Sequence, residues 1–183
     1  MTAAMELIRP PLGAGTVPDT PPALRPGVIG AAVIRAARRS APMSRRRLAQ
    51  AAAVSPATVR GWENGTCPLY CVGYQQLRQL AGALGDEGAR TEANIAELAL
   101  ASQCDLLIAG MLSGFEDYSE VPPIEEPGRR GDLARDFLRW ALAGTIPDRF
   151  PSVADRGPLL APADAAAITF LARDLQAERP DRI

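Results

Sequence analysis

Three observations predict an all-α fold for this chain of 183 residues. Apolar residues recur at helical spacing in one segment after another, and no alternating run is long enough for a strand. Proline and glycine gather between those segments and mark their ends. The chain is 47% hydrophobic but only 5% aromatic, so its core must be built largely from Ala, Leu, Val and Ile, which suits closely crossing helices.

The expected organisation is a flexible arm at 1–26, a helix-turn-helix unit at 27–85 and a helical C-terminal region at 86–183. The arm holds Pro10, Pro11, Pro18, Pro21, Pro22 and Pro26, with Gly13 and Gly15 between them, which leaves little chance of a packed element. Helix 1 follows at about Val28 to Arg39, with Ile29, Ala32, Val33 and Ala36 on one face and Arg35, Arg38 and Arg39 off it.

The stretch Ser44 to Asn64 reads as two short helices joined by a tight turn. Ser44 can cap the first and Ser55 the second, with Pro56 at the first helical position, where a missing N–H costs nothing. Leu48, Ala49, Ala52, Val54, Val59 and Trp62 are the apolar or small positions on the shared face. This is the pattern of a helix-turn-helix, whose second helix enters the DNA major groove.

After a loop marked by Gly65, Pro68 and Gly73, helix 4 spans about Tyr74 to Leu84. Tyr74, Leu77, Leu80, Ala81 and Leu84 form its stripe and Gly85 its C-terminal cap. Residues 86–90 form a hinge. Helix 5 runs from about Thr91 to Leu112 with Ile95, Leu98, Ala99, Ser102, Leu106, Ala109 and Leu112 as its stripe. An acidic, Pro-rich loop at 113–130 leads to helix 6 at about Asp132 to Ala143, with Leu133, Phe137, Trp140 and Ala141 inward. Helix 7 covers about Pro162 to Ala177 through Ile168, Leu171 and Leu175.

Charge sharpens this division. Residues 25–85 hold nine Arg and one acid, Glu63, whereas 86–183 hold ten Arg and eighteen acids. A +8 segment followed by a −8 segment, in a chain of net charge −1, is the asymmetry of a nucleic-acid-binding head with a different kind of tail. Every basic residue is Arg, which together with abundant Ala suggests a GC-rich bacterial genome. In the head, Arg45, Arg46 and Arg47 fall in the first turn of helix 2, where phosphate would relieve their opposition to the helix dipole. Helix 3 offers Pro56, Ala57, Thr58, Arg60 and Gly61 to a groove. Arg60 is its one strong base reader, able to bridge guanine O6 and N7, so DNA shape gains weight. Trp62 reads as core, Asn64 as a helix end near phosphate, and Glu63 as the partner of a helix 1 arginine, Arg38.

The run Val28 to Gly85 resembles the Cro/repressor-type helix-turn-helix of the xenobiotic-response-element family, with the lambda-repressor-like fold. Leu48-Ala49, Val54-Ser55, Val59, Glu63-Asn64-Gly65, Leu77, Leu80-Ala81 and Ala83-Leu84-Gly85 carry the resemblance, about a third of the chain. It implies a helical bundle bound as a homodimer to two-fold double-stranded DNA, a structural salt bridge between Arg38 and Glu63, and DNA contacts at Arg45, Pro56, Ala57, Arg60 and Gly61. Two departures stand out: Ala53 occupies a turn position usually held by Gly, where positive φ would strain it, and the loop after Gly65 is longer than usual.

The function expected is a bacterial transcriptional regulator, DNA-binding and not an enzyme, cytoplasmic and nucleoid-associated. The DNA-binding set is Arg45, Arg46, Arg47, Ser55, Pro56, Ala57, Thr58, Arg60, Gly61 and Asn64. The alternative is an antitoxin-like or adaptor module that keeps this head and grips a protein partner through 86–183. No cofactor and no metal are expected: histidine is absent and Cys67, Cys71 and Cys104 lack paired spacing. No membrane contact is expected, since no uninterrupted apolar run reaches the ~18 residues of a span.

Overall fold

The computed structural model describes residues 27–85, 89–113, 129–150 and 157–177; the arm at 1–26 and most of the acidic loop lie outside them. Among the described residues the regular structure is entirely helical. The elements are α1 (Val28–Ser40), α2 (Arg45–Ala51), α3 (Pro56–Asn64), a 3-10 turn (Leu69–Cys71), α4 (Tyr74–Leu84), α5 (Ala89–Ser113), α6 (Arg129–Ala143) and α7 (Pro162–Ala177). The sequence places α7 at its observed limits, and starts α5 and α6 two and three residues late. The 3-10 turn sits inside the loop that the sequence reads as irregular.

Local chemistry explains the ends of the short helices. The Ser44 hydroxyl accepts from Arg47 N–H at 3.2 Å and the Ser55 hydroxyl from Thr58 N–H at 3.0 Å, so both α2 and α3 are capped by the residue before them. α1 has no such cap. Gly27 precedes it and offers no side chain. Its place is taken by Asp105, on α5: Oδ1 accepts from Ile29 N–H and Oδ2 from Gly30 N–H, each at 2.8 Å. A carboxylate at a helix N-terminus satisfies two orphan donors and complements the dipole. Asp105 is fully buried, and that burial pushes its carboxyl up to about 7 against the lowering effect of the Gly30 and Ile29 bonds.

α5 is therefore the helix around which the rest assembles, packing against α1, α4, the 3-10 turn, α6 and α7. Its buried face consists of Glu97, Leu98, Leu100, Ala101, Cys104, Asp105, Ile108 and Met111. That face differs from the expected stripe: Leu98 is shared, but Leu106 is exposed and two acids lie inside. With partners on several sides, α5 is apolar over most of its circumference, which blurs the single-stripe periodicity of a surface helix. Thr91–Ser113 also has the length and composition to cross a membrane, with a mean hydropathy of 1.5, which the sequence reading did not allow for. In this fold part of that apolar surface packs against those neighbours, and Leu106 remains exposed.

One continuous core runs from Ile29 of α1 to Ile168 of α7. The expected boundary at Gly85 thus does not separate two cores: Leu77, Leu80, Ala81 and Leu84 of α4 pack in the same cluster as Leu98 and Ala101 of α5. Two features of α4 depart from expectation. Tyr74 is 67% exposed, standing in the first turn beyond the reach of the core. Gly85 does hold the C-cap position, its N–H donating to the Gly82 carbonyl, but at φ −117°, an extended backbone any residue adopts rather than a left-handed one. Farther on, Phe137, Trp140 and Ala141 of α6 are buried as their spacing predicts. Phe150 closes over Trp140 with ring centroids 6.1 Å apart.

Candidate nucleic-acid interface

α2 and α3 pack on each other through Leu48, Ala49, Ala52, Val59 and Trp62, all buried; Val54 is half-buried. Small side chains at 49 and 52 let the two helices approach closely. The turn between them places Ala53 at φ 52°, the left-handed region, as its position in the motif foreshadows. A Cβ there costs roughly 1–2 kcal/mol. The far end of α3 needs glycine in earnest: Gly65 sits at φ 72°, and a Cβ on it would meet the Gly27 carbonyl oxygen at 3.0 Å.

The electrostatic centre of the unit is Glu63, fully buried on α3. Arg38 Nε donates to Oε1, as expected from the sequence. Arg45 Nε donates to Oε2, and the Arg35 guanidinium donates to the Glu63 backbone carbonyl. Arg38 also donates to the Met43 carbonyl at 2.8 Å, which fixes the α1–α2 connection. Three arginines from two helices thus converge on one residue of a third, tying α1, α2 and α3 together. Arg45 was expected to serve as a DNA contact. Its Nε is committed to Glu63, although half of its side chain remains exposed. Neither Arg45 nor Arg35 is marked as a Glu63 partner by spacing alone, since the first contact depends on how α2 crosses α3 and the second on how α1 packs against α3.

The remaining candidates divide by exposure. Arg46, Arg47, Ser55, Pro56, Ala57, Arg60 and Asn64 are exposed on the α2–α3 surface. Thr58 is half-buried and its hydroxyl lies 2.8 Å from that of Ser55, so it is engaged locally and less free to face a groove than expected. Gly61 is also half-buried. Its carbonyl accepts from Thr66 N–H at 3.0 Å and Cys67 N–H at 3.2 Å, and a Cβ on it would meet Cys67 Cβ at 3.3 Å. Close approach of the following loop is therefore what position 61 accommodates. Gln50 and Arg78 are also exposed on the head, and neither was singled out by the sequence.

Charge is one-sided here. Within 27–85 the only acid, Glu63, is buried, so the described surface of that segment carries no carboxylate. Among the described residues, the guanidinium groups of Arg46, Arg47 and Arg60 make no hydrogen bond or ion pair. They form a set of unneutralised cations on a rigid two-helix scaffold.

No group of three or more His, Cys, Asp or Glu among the described residues is arranged to hold a metal. The three cysteines are unpaired: Cys71 is exposed, Cys67 half-buried and Cys104 buried on α5, where burial first and the neighbouring Asp105 second push its thiol up to about 12. A thiol so raised is inert as a nucleophile near neutrality. No protein-family model matches this chain, and neither a curated protein nor a solved structure shows significant similarity to it.

Proposed function

We propose that residues 27–85 form a lambda-repressor-like head that binds double-stranded DNA, and that the protein is a transcriptional regulator acting as a homodimer. α3 enters the major groove, Arg60 reads a base edge, and Arg46 and Arg47 neutralise phosphates on the flanking backbone. The observation that carries this reading is the pairing pattern: the only acid of the head is consumed inside the fold, while three arginines of α2 and α3 face outward unpaired. With Arg45 drawn into the Glu63 network and Pro56 and Ala57 offering little to bases, recognition leans on backbone contacts and DNA shape.

Selecting bound fragments from random duplexes, then titrating the winner against salt, tests the reading. Half-sites about 34–36 Å apart are expected. Two phosphate-binding arginines, Arg46 and Arg47, on each of two protomers give a log–log salt slope of about −4. Arg46→Ala should weaken all sequences alike, and Arg60→Ala should relax preference at one base pair. A binding constant indifferent to salt, or no duplex binding by the folded protein, defeats the proposal.

A second reading is a protein-interaction module that grips its partner through the C-terminal helices. It is favoured by Phe170, 64% exposed on α7. Recovery of one stoichiometric protein partner with no DNA enriched would select it.

A further inference from the structure

A cavity of about 560 Å³ opens where the α1–α2 connection, the end of α4 and the turn after α6 meet. Its wall is apolar at Met43, Leu84 and Phe150 and cationic at Arg47 and Arg149, with Asn94 between them. No acid lines it. Arg149 is unusually well placed for an exposed arginine. Its Nη1 lies 2.6 Å from Oε2 of the buried Glu97, its Nη2 donates to Asn94 Oδ1 at 3.2 Å, and its guanidinium carbon stands 5.8 Å from the Phe150 ring centroid. Asn94 is itself held by Ala81, whose carbonyl accepts from Nδ2 at 3.2 Å. A guanidinium carries five N–H donors in a rigid fork, so donors remain after these contacts, and their direction is already fixed.

We propose that this cavity binds a small amphipathic monocarboxylate, its carboxylate on Arg149 and Arg47 and its apolar body against Met43, Leu84 and Phe150. The volume falls in the usual range for small-molecule sites, and the wall joins apolar side chains to convergent polar groups, as such sites do. Carboxylate pairs with guanidinium through charge-assisted, often bidentate, hydrogen bonds. An occupant would bridge α2, through Arg47, to the Arg149–Phe150 turn, which lie 102 residues apart in sequence. The cavity shares Arg47 with the proposed phosphate contacts, whereas Arg149, Asn94 and the apolar wall lie outside that set, so ligand binding is measured on the chain free of DNA.

Calorimetric titration of the full chain with 2-naphthoate, against 2-naphthamide and against chloride at equal ionic strength, tests it. The acid should bind with a dissociation constant below about 1 mM and the amide at least about tenfold more weakly, because charge-assisted hydrogen bonds are the stronger ones. Ala83→Phe, which fills the cavity from α4, should abolish binding; Arg47→Gln, on an exposed side chain, should weaken it several-fold without loss of fold. Absence of binding to the folded wild-type chain, equal binding of acid and amide, or unchanged binding by both variants would overturn the proposal.

Discussion

Ala53 and Glu63 each concentrate a large local energy in one position. At Ala53 the left-handed backbone opposes the side chain, and the site is exposed, so nothing rewards keeping a Cβ. Ala53→Gly should relieve roughly 1–2 kcal/mol of strain and lose about half of that to the greater freedom of the unfolded chain. A rise in urea midpoint corresponding to about 0.5–1 kcal/mol is expected. Glu63 is the opposite case. Removing its charge leaves Arg38, with a side chain only 14% exposed, facing a neutral amide. Glu63→Gln should cost about 3 kcal/mol in chemical denaturation, because breaking a buried pair strands its partner. The Arg38–Glu63 pair was legible in the sequence because one acid among nine arginines must be spoken for. Its extension to Arg45 and Arg35 was not, since it depends on how α2 and α1 each pack against α3 rather than on any repeat along the chain.

Among the elements, the helices were readable to within three residues from periodicity, capping serines and Pro56, because those signals act within one turn of the chain. The inward face of α5 was not. A helix packed on several sides spreads apolar residues around its circumference, and the one stripe expected for a surface helix placed Leu106 inside and overlooked Asp105. Asp105→Ala should leave Ile29 and Gly30 N–H buried without an acceptor, at about 1–3 kcal/mol each, partly offset by relief from burying a carboxyl. A net loss of about 2 kcal/mol is expected, with Asp105→Asn intermediate because its amide oxygen keeps one bond. Equal stability of the two variants and the wild type would show that α1 needs no cap from α5.

Across the whole molecule, two buried acids on α5 set the response to pH. Burial raises Glu97 to about 7, with Arg149 pulling it back, and raises Asp105 to about 7 against its two backbone bonds. Both folded values lie above the ordinary 4.5 and 3.8, so the folded chain holds protons that the unfolded chain releases. Stability should therefore fall as pH rises from about 4 to about 7 and level off above that. Urea midpoints at pH 5 should exceed those at pH 8, and Glu97→Gln should shrink the difference. The cap on α1 has a further consequence in time. Asp105 emerges from the ribosome 75 residues after Gly30, an interval of about 4–15 s at ordinary synthesis rates. Over its last 20 residues, from Gly85 to Asp105, the nascent head carries its arginine surface complete, but has neither its N-terminal anchor nor the cover over α1 and α4. Translation must pass α5 before the head acquires its final shape, so a product halted before Asp105 is a natural substrate for chaperones and proteases.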